Sequence, residues 1–97
     1  MNGQQQNQVQ IRASDKDLKG VYSNMMQVSH TQEEFILDFF SINPTVPVGV
    51  LASRVILSPG HMKRIIAALQ ENLKRYEGSF GIVTPAQGPG KEIGFKV

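Results

Sequence analysis

The clearest pattern of apolar and polar positions lies between residues 58 and 78. Apolar side chains recur there at steps of three and four residues, which is the spacing of one face of an α-helix. Ser58 is a suitable N-cap, Pro59 suits the first helical position because it has no amide hydrogen to leave unpaired, and Gly78 suits the C-terminal end. The pattern predicts one amphipathic helix with an apolar stripe of Met62, Ile65, Ile66, Leu69, Leu73 and Tyr76.

Three stretches ahead of this helix are rich in β-branched and aromatic residues, as strands are. They are residues 20–29, 33–42 and 48–57. Between the last two lies NPTVP, whose Pro44 and Pro47 cannot donate to a strand ladder. A weaker strand is predicted at residues 8–14, followed by a charged turn at residues 15–20. The sequence therefore predicts a two-layer α+β fold, in which a four-stranded antiparallel sheet precedes one long C-terminal helix that packs on it.

The ends of the chain differ in composition from its centre. Residues 1–8 are dominated by Gln and Asn and predict a disordered leader, whereas residues 83–97 are rich in Pro and Gly and predict a flexible tail. Residues 9–82 are expected to form a single α+β domain. Apolar residues alternate at Ile93, Phe95 and Val97, so an added terminal strand within residues 92–97 stays open.

Both faces of the predicted sheet are apolar. Phe35, Leu37 and Phe39 share one face of their strand, while Ile36 and Phe40 share the other. One helix covers only one face, so a second layer is required, and a second copy of the chain is its simplest source. We therefore expect a homodimer. The apolar residues of the uncovered second face are Ile36, Phe40, Val50 and Ile56.

Three polar residues fall within this second face and predict a hydrogen-bonded cluster. A connection centred near Val46 would place Arg54 opposite Asp38, and a turn centred on Thr31 would place Asn24 beside Asp38. We expect this cluster of Asn24, Asp38 and Arg54 at a subunit interface. Desolvating its charges costs about what their pairing returns, so it would set register and specificity. The alternative is a small polar ligand held by Arg54 and Asp38.

Composition and charge restrict the classes of function. A chain of 97 residues that is 40% hydrophobic and 19% charged is long enough for one folded domain and unlike a disordered chain. Its net charge of +2 is too small to indicate a polyanionic partner. The lack of cysteine fits a reducing compartment, and no apolar run approaches a membrane span. We expect a cytoplasmic protein with no membrane partner.

Catalytic chemistry finds few candidates in this sequence. Neither His30 nor His61 has a His, Asp or Glu at a metal-ligand spacing nearby, and no serine lies in a nucleophile motif. The glycine-rich segment at residues 88–94 lacks the following helix that a phosphate loop needs. We therefore expect no enzyme activity, no cofactor and no metal.

The helix offers two weaker binding hypotheses. Its N-terminus could hold an anion, although Ser58 satisfies one amide and Pro59 removes another. Its basic side chains could contact a nucleic-acid backbone, although Glu71 and Glu77 interrupt that face and no aromatic residue is available there for base stacking. An ordinary solvated face is the simpler interpretation. The candidate contacts are Ser58, Gly60, Lys63, Arg64, Lys74 and Arg75.

Several short motifs carry a family resemblance. They are YSN at 22–24, EFILDF at 34–39, SRVILSP at 53–59, HMKRIIAALQENLKRYE at 61–77 and FG at 80–81. Together they resemble the small bacterial family catalogued as domain of unknown function 3467, over about residues 9–82. Gly60 and Met62 depart from the residues expected in that pattern. The resemblance implies no activity, but it supports the domain boundaries and the interest in Asn24, Asp38 and Arg54.

The predicted layout, four strands followed by a helix, is also similar to the SecB-like fold. SecB-type export chaperones dimerise and bind unfolded chains on exposed apolar surface, and Met25, Met26 and the Phe-rich strands could serve that way here. The preferred hypothesis is a noncatalytic, self-associating binding or scaffold module. The alternatives are a nucleic-acid-binding module that uses the basic helix face and a SecB-like chaperone.

Overall fold

The computed structural model describes residues 8–88 and 93–95. In chain order the elements are helix α1 (Asp15–Lys19), strands β1 (Met25–His30), β2 (Phe35–Ile42) and β3 (Gly49–Leu57), and helix α2 (Pro59–Phe80). The strands form one antiparallel sheet in the order β1-β2-β3. The α+β class, with an antiparallel sheet followed by a long C-terminal helix, is thus confirmed.

The predicted fourth strand is wrong. Residues 8–14 belong to no strand, and the charged turn expected after them is instead helix α1. A reciprocal capping box explains α1, since the Ser14 hydroxyl accepts from Asp17 N at 3.1 Å and the Asp17 carboxylate accepts from Ser14 N at 3.0 Å. Val9 and Ile11 alternate as strand residues would, but both are exposed.

The first hairpin is closed by a turn that Thr31 organises. Thr31 N donates to Glu34 O at 3.0 Å, and the Thr31 hydroxyl accepts from the amides of Glu33 and Glu34. The turn is therefore centred between Gln32 and Glu33, beyond the predicted centre at Thr31. This displacement sets the register of β1 against β2, in which Gln27 lies opposite Asp38.

The second hairpin contains a register irregularity. Phe39 pairs with Ser53 and Phe40 pairs with Leu51, so Ala52 is an extra residue in β3. Beyond this bulge the alternation of β3 is reversed relative to the sequence prediction. Val50 pairs with Ser41 and lies on the face opposite to Phe40, and Leu51 takes the place predicted for Val50.

Helix α2 begins as the sequence predicts and ends slightly later. Ser58 is the N-cap, its hydroxyl accepts from His61 N at 3.2 Å, and Pro59 opens the helix. The predicted end at Gly78 is wrong, because α2 continues through Phe80. Gly81 is the capping residue, with a φ of 98° that disfavours other residues, and its amide donates to Glu77 O at 2.9 Å.

The core of the protomer is small. Among the described residues, the buried apolar side chains are Leu37, Phe40 and Leu57, and α2 contains no buried residue. The prediction that the apolar stripe packs on the chain's own sheet, giving two layers in one protomer, is therefore wrong. An amphipathic pattern fixes which side of a helix seeks apolar contact, but not which surface supplies that contact.

The overall dimensions agree with this open arrangement. The radius of gyration is 17.4 Å, whereas a compact domain of this length has about 12.5 Å. Within the described ranges, no helix combines the length and the apolar character needed to cross a membrane. Residues 93–95 form no strand, and the remainder of the strand considered at residues 92–97 lies outside the described residues.

Candidate functional site

The centre of the candidate site is an ion pair between Asp38 on β2 and Arg54 on β3. The two residues are directly opposite in the sheet register, which is where a connection centred near Val46 would place them. Arg54 Nε donates to Asp38 Oδ1 at 2.6 Å and Arg54 Nη2 donates to Asp38 Oδ2 at 2.9 Å. This is the bidentate geometry of the stronger guanidinium–carboxylate pairs. Asp38 is buried, whereas about half of the Arg54 side chain is exposed, 48% against 7% for the Asp38 side chain.

The pairing fixes the charge of both groups. Hydrogen bonding to Arg54 lowers the pKa of Asp38 below its ordinary value, against the opposing effect of burial. The same hydrogen bonds raise the pKa of Arg54. Asp38 is thus a carboxylate at neutral pH, and both of its oxygens accept from Arg54. Such a pair can hold two strands in register, but it offers no proton to exchange near neutral pH.

Phe95 covers this pair. It belongs to residues 93–95, which we call the C-terminal segment. The Arg54 Cζ atom lies 5.5 Å from the centroid of the Phe95 ring, within the range of a cation–π interaction. The ring also lies 5.6 Å from that of Phe40, at an interplanar angle of 48°. Asp38, Phe40, Arg54 and Phe95 form one cluster, which we call the Arg54 cluster. Sequence reasoning placed Phe95 in a flexible tail, and its alternation with Ile93 was the available signal.

An open cleft of about 740 Å³ adjoins the Arg54 cluster. Its walls come from the end of the second hairpin, including Pro44, Pro47 and Leu51, and from Ile93 and Phe95 of the C-terminal segment. None of the described lining residues is charged. The cleft therefore offers a ligand no charged group among the described lining residues, and neither Asp38 nor Arg54 lines it. The hypothesis of a small polar ligand held by these two residues gains nothing from this geometry.

Asn24 does not join the Arg54 cluster, and its predicted position beside Asp38 is wrong. The turn displacement at Thr31 moves it by three residues, so that Gln27 faces Asp38 instead. The Asn24 side chain accepts from Ile42 N at 2.8 Å and donates to Ile42 O at 2.9 Å. These two hydrogen bonds copy those of a strand residue, so Asn24 prolongs the pairing of β1 with β2.

The predicted apolar second face is present with one exchange. Ile36 lies opposite Ile56, and Phe40 lies opposite Leu51 rather than beside Val50. Their exposure differs, because Phe40 is buried at 5% while Ile56 is 55% exposed. The end of this face near the cleft, at Phe40, is thus buried by the chain itself, whereas the end at Ile56 is exposed to solvent.

The predicted anion and nucleic-acid contacts all lie on or next to α2. The Ser58 hydroxyl is engaged by His61 N, and Gly60 lies in the first turn. The four basic residues are exposed and fall into two pairs separated by about 16 Å along the helix axis. They are Lys63, Arg64, Lys74 and Arg75.

Two of these basic residues make local contacts within the helix. Arg64 Nη2 lies 3.1 Å from His61 Nδ1, and Arg75 Nε lies 3.3 Å from Glu71 Oε1. The first contact is one turn from the helix start, and the second is an i, i+4 ion pair on the surface. Because the two basic pairs are about 16 Å apart along the axis, the four residues do not form one continuous patch on α2.

Comparisons with known proteins identify a family but no activity. Residues 1–85 match the model of the family described as protein of unknown function (DUF3467). No curated protein matches the chain. No solved structure matches it either.

Proposed function

The chain belongs to the DUF3467 family, whose description names no activity, and we propose from its own geometry that it is a noncatalytic, self-associating binding or scaffold module. The proposed functional unit is a homodimer, in which a second copy covers apolar surface that one protomer leaves exposed. The cytoplasm stays the expected location, on the grounds given with the sequence.

The observation that carries this proposal is the state of α2. A helix of 22 residues has an amphipathic sequence, yet none of its residues is buried. Helices in proteins gain most of their stability from the packing of an apolar face rather than from helix propensity. A protomer with three buried apolar side chains in its described residues is therefore an incomplete structure. A second copy of the same chain can supply the missing contacts, because a two-fold interface uses the same surface on both copies.

The noncatalytic part of the proposal rests on the chemistry of the Arg54 cluster. The buried carboxylate of Asp38 is fully engaged by Arg54, and the neighbouring groups are the phenyl rings of Phe40 and Phe95. Such a cluster joins β2, β3 and the C-terminal segment. We propose that its role is to hold these three parts in one arrangement, which the homodimer then uses.

Sedimentation velocity over a dilution series tests the proposal. The protomer mass is 10.7 kDa. We expect a species of twice that mass at the higher concentrations, with a shift towards the protomer on dilution. A folded protein that sediments only as the protomer at all concentrations, up to about 100 µM, would overturn the proposal. The dissociation constant of any dimer would then lie above that concentration, and the free energy of association would be too small for a functional dimer.

Chaperone-like binding is a second candidate, and the exposed apolar side chains favour it. Met26 and Val28 on β1 and Ile56 on β3 are each at least 43% exposed in the protomer. A chaperone would keep such surface accessible in the dimer. The folded dimer would then bind an apolar dye and suppress the aggregation of an unfolded client, whereas a dimer that does neither supports the scaffold role.

Nucleic-acid binding by the basic face of α2 is the third candidate from the sequence. It predicts an affinity that falls steeply with salt and is lost in the double variant Lys63→Glu, Arg75→Glu. Because Arg75 is paired with Glu71, fewer charges are available for phosphates than the sequence suggests. Binding that is absent or insensitive to salt would remove this candidate.

A further inference from the structure

We propose that α2 pairs with α2 of a second copy, in antiparallel orientation, along a seam of six residues. The seam consists of Met62, Ile66, Leu69, Leu73, Tyr76 and Phe80. This inference rests on the proposed self-association and names the surface that performs it. Its partner is the same surface on another copy of the chain.

The spacing of the seam residues is the first argument. Successive members are four, three, four, three and four residues apart, which is the heptad spacing of helices that pair with each other. From residue 69 to residue 80, every position outside the seam is polar or glycine. A helix that packs on a sheet normally carries a wider apolar face than this. The C-terminal half of α2 therefore fits another helix better than it fits a sheet.

The exposure of the seam is the second argument. Ile66 is 44% exposed, and from Leu69 onward each of the remaining four seam residues is at least 50% exposed, reaching 76% at Phe80. The rings of Tyr76 and Phe80 lie 4.9 Å apart, so the apolar surface is continuous from one turn to the next. By contrast Met62, at the start of the seam, is already half-buried. The seam is thus more exposed from Leu69 to Phe80 than at Met62, and this exposed part is available to a second copy.

Charge complementarity decides the orientation. In an antiparallel pair, Leu69 meets the partner's Leu73 and Ile66 meets the partner's Tyr76. The two-fold axis then crosses the seam at the level of residue 71 along α2. Lys63 then flanks the seam beside the partner's Glu77, and the two-fold axis repeats this contact. In a parallel pair, Lys63 would flank the partner's Ser58 and Glu77 would flank the partner's Asn72, with no opposite charges.

Glu77 is held in place for such a contact. Val83 N donates to Glu77 Oε2 at 2.8 Å at the C-terminal end of α2. A carboxylate accepts more than one hydrogen bond, so this contact is compatible with an ammonium group on the other copy. Antiparallel pairing also places the positive end of each helix dipole near the negative end of the other.

Distances between spin labels on the assembled full chain test the orientation. The chain has no native cysteine, so single substitutions give unique labelling sites. Arg64→Cys, Glu71→Cys and Gly78→Cys lie seven residues apart, on the side of α2 opposite the seam. A Cβ at Gly78 would meet no atom within 4 Å. Antiparallel pairing predicts a separation of about 20 Å at position 71 and about 29 Å at positions 64 and 78. Equal distances at all three positions would overturn the antiparallel orientation.

A pair of matched variants tests the seam itself. Leu73→Asp places a charge in the seam, whereas Lys74→Asp places the same charge one residue further, outside it. We expect at least a 100-fold loss of dimer affinity for Leu73→Asp and less than a 3-fold change for Lys74→Asp, both by sedimentation. Amide NMR signals of β2 and β3 that match the wild type will show that the sheet of Leu73→Asp stays folded.

The results separate this inference from the proposed function. A Leu73→Asp variant that dimerises as tightly as the wild type would overturn the seam but leave self-association intact. The same holds for a dimer in which no distance between labels below about 50 Å is found at any of the three positions. A wild-type chain that never dimerises would overturn both.

Discussion

Truncation of Leu73 to alanine provides the sharpest quantitative test of the seam. Leu73 is 50% exposed in the protomer, and complete burial of a leucine side chain stabilises by roughly 1.5–3 kcal/mol. The half that pairing would bury is therefore worth about 0.8–1.5 kcal/mol in each copy. Because a dimer contains two copies, Leu73→Ala should weaken it by about 1.5–3 kcal/mol, which is roughly a 10- to 100-fold rise in the dissociation constant.

Helix propensity cannot account for such a loss, since alanine is at least as good a helix former as leucine. Lys74→Ala is the matched control, because it truncates the next residue to the same methyl group at a position outside the seam. Sedimentation equilibrium of the wild type and the two variants gives the dissociation constants directly. A change of less than 3-fold for Leu73→Ala, or an equal change for Lys74→Ala, would refute the reasoning.

Three further predictions concern the protomer. Asp38→Asn should reduce the loss of stability in acid. Hydrogen bonding to Arg54 holds the pKa of Asp38 in the folded protein below its ordinary value of 3.8. The stability that the Asp38 carboxylate contributes is therefore present above pH 3.8 and is lost as the pH falls through the pKa of Asp38 in the folded protein. Denaturant titrations at pH 2.5 and 7 that show the same acid loss in both proteins would contradict this. Ser58→Ala should lower the free energy of unfolding by about 1 kcal/mol and the melting temperature by about 4–8 °C. Ser58→Asp is the control, because aspartate keeps the N-cap. An unchanged melting temperature in Ser58→Ala would argue against the cap. Phe40→Ala should cost about 3–5 kcal/mol, more than Phe39→Ala on the half-buried opposite face, and equal losses in urea unfolding would place the core elsewhere.

The sequence predicted those parts of the fold that local chemistry determines. The second hairpin follows from strand-forming residues on either side of two prolines, and this brings Arg54 opposite Asp38. The start of α2 follows from Ser58 and Pro59. In each case the residues that fix the geometry are neighbours along the chain, so their effect could be derived without knowledge of the rest of the protein.

Turn chemistry and a bulge explain the errors in register. The Thr31 hydroxyl binds two following amides, which moves the hairpin centre and takes Asn24 away from Asp38. The extra residue at Ala52 moves Val50 to the other face. A displacement of one residue reverses the faces of a strand, so small local choices have large consequences for a predicted site.

The largest discrepancy concerns α2 and has a different cause. The helix and its apolar stripe were predictable, but the surface that covers the stripe was not. Both the chain's own sheet and a second copy would satisfy the same pattern. At the Arg54 cluster the opposite occurs. The sequence predicts that a second copy covers this surface, whereas Phe95 of the same chain lies against Arg54 and Phe40.

The central claim is that α2 is completed by another copy of the chain, and hydrogen exchange at two protein concentrations tests it most directly. An unpaired helix with no buried residue should exchange its amides readily, while a paired one should be protected. Concentrations tenfold below and tenfold above the dissociation constant should therefore give amide protection in residues 66–80 that rises with concentration, while that of β2 changes little. Protection of residues 66–80 that is the same at both concentrations would contradict the claim.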